Sequence, residues 1–204
     1  MVSAKHLSPE DCEKIREAIR GKYSGVSCSA AGFFRYPTGR EGAEKLGYDP
    51  AVISQAHAGL LQSFCGVGNP FSLGIVTSGD RVLDFGCGAG FDMYVAARLV
   101  GKHGLVCGID LTDSMAHQAR ENLCRAAIDH FEIQVANGET IPYQNDFFDV
   151  VISNGVINLS PHKEKCFAEI QRVLKPGGRL QFADVVLEKD LPDRMSLSAE
   201  SWSH

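Results

Sequence analysis

The chain has no Cys-x-x-Cys pair, no apolar run of membrane-spanning length and no stripe of lysine and arginine. Each absence removes a class of function. Seven cysteines, an odd number without paired spacing, make neither a disulfide framework nor a zinc ribbon. No metal site is therefore expected, and most thiols should be reduced. A formal net charge of −5 at pH 7 leaves no clustered cations for the counterion release that drives nucleic-acid binding. The N-terminus lacks the basic, apolar, small-residue order of a secretory leader. With no apolar run of spanning length, the expected setting is the cytoplasm, without membrane or nucleic-acid partners. No tract repeats or falls into low complexity.

What is present is concentrated between Val82 and Asp110. Val82-Leu83-Asp84-Phe85 is an apolar run ending near a carboxylate. Gly86-Cys87-Gly88-Ala89-Gly90 follows, and the pattern then reopens with helical period at Phe91. That order reads as strand, tight turn and helix. Glycine tolerates positive φ and lets a ligand approach the backbone, so such a turn suits a nucleoside. Asp110 closes the next apolar run about twenty residues on, where a carboxylate can accept from two ribose hydroxyls. A phosphate-binding turn leaves two residues between its second and third glycines. Here only Ala89 separates them, which favours a ligand without phosphates over a nicotinamide dinucleotide.

Ser8-Pro9-Glu10-Asp11 gives a helix start with a hydroxyl cap, an early proline and acids in the first turn, with Leu7 and Cys12 as a hydrophobic staple. Ile15, Ala18 and Ile19 extend its apolar face. From Gly21 to Gly47, rich in Gly, Ser and aromatics, a structured loop is expected. Asp49-Pro50 should open a helix running towards Phe64. Strands are then expected at Arg81–Phe85, Leu105–Asp110, Phe131–Val135, Val150–Ser153 and Arg179–Val185, with helices between, hence parallel pairing. Thr112 caps the helix carrying Met115, and Ser160-Pro161 opens the one carrying Cys166 and Ile170. Cys107, Cys124 and Cys166 read as small core residues. Cys87 sits in the glycine turn for its size, which leaves Cys12, Cys28 and Cys65 as the thiols of interest.

Ligands in open α/β sheets collect at the carboxyl ends of strands, and four consecutive ends here carry polar residues or glycine. They are Asp84 with Gly86, Cys87, Gly88 and Gly90; Asp110, Leu111 and Thr112; Asn137, Gly138 and Glu139; and Asn154. Met115, one turn into its helix, either covers a ligand face or belongs to the core.

The glycine turn with Asp110 resembles motif I of class I S-adenosylmethionine-dependent methyltransferases. Ala136-Asn137-Gly138-Glu139-Thr140-Ile141-Pro142 looks like their adenine-binding segment, where an amide at 137 can still accept and donate; a plain turn former is the alternative. Between Gly66 and Val186 the resemblance narrows to the arsenite methyltransferases, through Gly66-Val67-Gly68-Asn69-Pro70 and Ser153-Asn154-Gly155-Val156-Ile157-Asn158-Leu159-Ser160-Pro161. That family usually carries cysteine where this chain has Val67 and Gly155, so its thiolate trap for soft trivalent arsenic is missing here. Cys28 and Cys65 are the candidates left to supply sulfur to the catalytic site.

The resemblance implies an α/β fold with a doubly wound, mostly parallel Rossmann-like methyltransferase sheet; its members usually continue beyond the fifth strand, and here the sheet is expected to be truncated after it. Residues 1–70 would form a helical and loop extension capping the pocket, and 71–204 the S-adenosylmethionine-binding domain. The implied activity is methyl transfer to a small-molecule substrate, a thiol or small organic acid. Arsenite methylation and a non-catalytic S-adenosylmethionine-binding role are the alternatives. Phe33, Phe34, Tyr36 and the helix before Gly66 would roof the acceptor, Arg35 and Arg40 are candidate partners for an acidic group, and His57 and His162 are conceivable bases. An exposed apolar fifth strand should pair with another chain, giving a homodimer, or mark a missing C-terminal segment.

Overall fold

A computed structural model describes residues 7–186 together with 188 and 202. The expected capping box forms: the Ser8 hydroxyl accepts the Asp11 N–H at 3.1 Å, and the Asp11 carboxylate accepts the Ser8 N–H at 3.2 Å. It starts α1 (Pro9–Val26), which runs on through Tyr23 into the stretch expected as loop. That stretch also holds a second helix, α2 (Gly39–Lys45). The helix expected to run from Pro50 to Phe64 is two, α3 (Pro50–Gln55) and α4 (Ala58–Gln62). Ala56 and His57 between them are extended, and the His57 ring meets the carbonyl of Asn122 at 3.0 Å, a tertiary bond that outweighs local helix propensity.

From β1 (Arg81–Phe85) the chain alternates: α5 (Phe91–Val100), β2 (Leu105–Asp110), α6 (Asp113–Arg125), β3 (Phe131–Val135), β4 (Phe148–Asn154), α7 (Lys163–Val173) and β5 (Leu174–Ala183). The strands form one parallel sheet in the order β3-β2-β1-β4-β5. The apolar runs of β1 and β4 are buried because helices cover both faces. Val82, Val106 and Val150 pack towards α5 and α6, while Leu83, Cys107 and Val151 pack towards α7. Gly108 on β2 is required by packing, since a Cβ there would meet the Cys87 side chain at 2.9 Å.

β4 and β5 are longer than their apolar cores suggest, and β5 starts at Leu174 directly after α7. Among the described residues nothing pairs with the outer edge of β5, where Phe182 is part-exposed against Phe167. Cys124 is exposed rather than core, because it falls on the outer face of α6. No helix among the described residues is long and apolar enough to cross a membrane.

The order of strands reverses at β1, whose neighbours β2 and β4 lead to opposite halves of the sheet. The crevice above such a point is where open α/β sheets bind ligands.

Candidate functional site

A cavity of about 1130 Å³, counting its open mouth, lies above the carboxyl ends of β1, β2, β3 and β4. Its wall includes Asp84, Gly86, Cys87, Gly88, Asp110, Leu111, Thr112, Met115, Asn137, Gly138, Glu139 and Asn154. Of the glycines named from the sequence, Gly90 is off the wall. A Cβ there would lie 3.2 Å from that of Ala119, so it serves the approach of α5 to α6.

The Asp110 carboxylate is held from below: Oδ2 accepts the Gly88 N–H at 2.9 Å and Oδ1 the Thr112 N–H at 2.8 Å. An ionised carboxylate has about four acceptor sites, so two remain for a ligand. Burial raises the Asp110 pKa, and the Thr112 and Gly88 N–H groups oppose that shift. Gly88 has φ of 51° and an added Cβ there would meet nothing within 4 Å. The turn therefore leaves open a space that a side chain would fill.

Asp84 and Asp92 are both buried. Asp84 Oδ2 has no hydrogen-bond partner, and burial, then the charges of Asp92 and Asp110, push its pKa well above the carboxylate range. Asp92 is better held, accepting the Tyr48 hydroxyl at 2.6 Å and the Asn154 amide at 3.0 Å. Asp92 falls in the stretch Gly88-Ala89-Gly90-Phe91-Asp92, which resembles a motif of the arsenite methyltransferases, but the sequence assigned it no role of its own. Tyr48, in an irregular loop, gave no signal at all.

Several expected contacts serve the fold. The Asn154 Oδ1 accepts the N–H groups of Val67 (2.8 Å) and Gly68 (3.1 Å), and its Nδ2 donates among Gly68 O, Asp92 and Tyr48. Its amide is thus spent on tying loop 66–68 to β4. One guanidinium nitrogen of Arg16 reaches both Glu139 oxygens, at 2.9 and 3.0 Å. Asn137 Oδ1 accepts the Glu139 N–H at 3.2 Å, a side-chain turn. Met115 is buried against Val26, Ala30 and Ala89 while also lining the cavity.

The roof differs from the expected one. Arg16, Ile19 and Tyr23, spaced along one face of α1, line the cavity, with Phe64 and Cys65 beyond α4. Phe33, Phe34 and Tyr36 are off the wall: Phe34 packs on Tyr23 and Tyr36, and the Tyr36 hydroxyl donates to Cys65 O. Arg35 and Arg40 are exposed elsewhere. His57 is bound to Asn122, and His162 Nε2 lies 3.5 Å from Cys12 Sγ; neither reaches the wall. Cys28 is exposed and also off the wall, so it does not meet Cys65 there. Burial pushes the Cys65 thiol up to about 12. Val67 and Gly155 do come together, the Val67 Cβ lying 3.9 Å from the position of a Gly155 Cβ.

Residues 76–204 match the family model described as a methyltransferase domain. An arsenite methyltransferase of Halobacterium salinarum is 35% identical over 96% of this chain and 53% of its own length. A ubiquinone/menaquinone biosynthesis C-methyltransferase UbiE of Francisella tularensis is 39% identical over 57% of this chain and 46% of its own. Among solved structures, CrArsM, an arsenic (III) S-adenosylmethionine methyltransferase from Chlamydomonas reinhardtii, matches with a TM-score of 0.65 and 35% identity. The match covers 73% of this chain and 53% of that one. The chain spans about half the length of these relatives. It belongs to the class I S-adenosylmethionine-dependent methyltransferases and is similar to those named arsenite methyltransferases.

Proposed function

We propose that this methyltransferase binds S-adenosylmethionine above β1 and β2 and directs its methyl group to a small, uncharged acceptor, a thiol being the best-fitting class. The reading rests most on the charge of the cavity. Asp84, Asp92 and Asp110 line it, while Arg16, the one cationic side chain on its wall among the described residues, is committed to Glu139. Such a wall favours a cationic ligand bearing hydroxyl groups and opposes one bearing phosphates. Asp110 would hold the ribose hydroxyls, the open Gly88 turn would admit the ligand to the backbone, and the carboxylates of Asp84 and Asp92 would face its positive charge.

The cofactor, when bound, supplies an activated methyl on a sulfonium. The protein's part is alignment and the exclusion of water. Helix α1 closes one side of the cavity with Arg16, Ile19 and Tyr23, and Phe64 and Phe91 present apolar surface to it. An organic acid would enter as an anion and meet like charge with no spare cation on the wall, whereas a thiol enters uncharged and gives its proton to water as its sulfur takes the methyl, which sets the thiol reading above the organic-acid one.

Arsenite is the second reading, favoured by the names of the relatives. Against it stand Val67 and Gly155 in contact where thiols would be needed, an off-wall Cys28 and a protonated Cys65. Calorimetry with S-adenosylmethionine and with NAD, followed by turnover against thiols, small acids and arsenite, tests both. Binding of the first cofactor alone, with methylation of a thiol, is expected. Arsenite turnover abolished by Cys65→Ser would overturn the choice of acceptor, and binding of NAD would overturn the choice of cofactor.

A further inference from the structure

Asp84 and Asp92 face the same cavity but are held differently. Asp92 receives two side-chain donors, the Tyr48 hydroxyl and the Asn154 amide, one on each oxygen. Asp84 has no such pair of side-chain donors, and its Oδ2 is buried without a partner. Two carboxylates in one sheltered site resist simultaneous ionisation, and hydrogen bonds to the charged form decide which keeps the charge. We infer that in the ligand-free protein the two share one proton, that Tyr48 is the positioning residue which keeps it on Asp84, and that a cationic ligand expels it.

The surroundings agree in sign. The other titratable groups facing the pair are Asp110 from β2, the Cys87 thiol in the glycine turn, the Cys65 thiol and Tyr48 itself. None of these is a cation, so among the described residues none of the groups facing the pair offsets a second negative charge. Tyr48 is held for its task by aromatic packing on Phe64, Phe71 and Phe91. It lies off the cavity wall, so it acts through Asp92 and touches no ligand. Removing its hydroxyl takes away one of the two donors that stabilise ionised Asp92. Asp92 then takes up a proton of its own at higher pH.

The identity of the cation rests on the proposed cofactor, but the proton sharing does not. In ligand-free protein, with Asp side-chain carboxyls labelled with carbon-13, one carboxyl should show the chemical shift of a protonated acid near pH 7. That signal should be absent from Asp84→Asn. In wild-type protein, calorimetry of S-adenosylmethionine binding in two buffers of different ionisation enthalpy should report release of about one proton. In Asp84→Asn the release should fall to near zero. In Tyr48→Phe, which keeps the ring, the acid midpoint, at which binding is lost as Asp92 protonates, should rise by about one unit.

A ligand-free protein with no protonated Asp near pH 7 overturns the inference, as does a protonated signal that survives Asp84→Asn. An unmoved midpoint in folded Tyr48→Phe removes Tyr48 from it. Failure of folded wild-type protein to bind S-adenosylmethionine at any pH counts against the proposed cofactor instead, and the ligand-free spectra still decide the proton.

Discussion

The contact between Val67 and Gly155 permits a direct test of the expectation that cysteines at these two positions would make an arsenic-binding pair of thiols. Their Cβ positions are 3.9 Å apart, inside the range of about 3.5–4.5 Å in which two cysteines form a disulfide without backbone movement. Val67→Cys with Gly155→Cys should therefore create a dithiol that closes under mild oxidation. The residues are roughly ninety positions apart, so closure removes about 4–5 kcal/mol of unfolded-state freedom on the chain-entropy model. In a chain of this size that corresponds to about 10 °C between the melting temperatures of the oxidised and reduced forms. Gly155 has φ of 75°, so a side chain there should cost about 1–2 kcal/mol in both forms. The reduced variant should thus melt below the wild type. It should also bind trivalent arsenic, through two soft thiolates on one soft centre. Thiol counting under denaturing conditions, thermal melting and an arsenite titration read the three effects. Nine free thiols rather than seven in oxidant-treated folded protein would show that loop 66–68 does not sit against β4. A dithiol that closes but ignores arsenite would refute the account of the missing trap.

Asp110→Asn should weaken S-adenosylmethionine binding about 10- to 100-fold by removing charge-assisted bonds, with little loss of secondary structure; unchanged affinity by calorimetry would remove Asp110 from the site. Gly88→Ala and Gly138→Ala should separate binding from folding. The first adds a methyl into open cavity and should reduce affinity at a cost of about 1 kcal/mol in stability; the second drives a Cβ into the Phe85 ring and should lower the melting temperature clearly. The reverse pattern would misplace the turn. Arg16→Ala leaves the sheltered Glu139 unpaired, so amide exchange across residues 12–23 should quicken about tenfold or more; unaltered protection there would show that the pair does not pin α1. Binding should strengthen as pH rises through the raised range of the Asp84–Asp92 pair and weaken as it falls, because only the ionised pair attracts a cation. Affinity flat from about pH 8 to about pH 5 would contradict that sign.

β1, β2 and β3 were legible to the residue because each is an apolar run with a sharp chemical boundary. β1 ends at the glycine turn, β2 at Asp110, and β3 stops before Ala136 and Asn137. The N-terminal third was less legible because its helices depend on contacts that sequence windows do not contain. α2 starts at Gly39, whose N–H donates to the carbonyl of Phe64, and the break between α3 and α4 is fixed by His57 reaching Asn122 on α6. Its aromatic stretch suggested a roof, yet Phe34 packs at a tilt between Tyr23 and Tyr36 and leaves the cavity to α1.

The candidate site divides along the same line. The Gly88 and Thr112 N–H groups both donate to the Asp110 carboxylate, one across adjacent strand ends and one from two residues on, and the order of strand, turn and helix alone points to all three. Asp92, Tyr48 and Asn154 form a network across separations of 44, 62 and 106 residues, and no local pattern encodes such a meeting. Asn154 shows the consequence. Its place at a strand end suggested a ligand contact, but loop 66–68 crosses β4 at that point, and unpaired Val67 and Gly68 N–H groups would cost more than the amide can spare. The amide therefore anchors the loop as well as lining the cavity, and the charge at that place on the wall belongs to Asp92, the carboxylate that the same amide and Tyr48 hold in place.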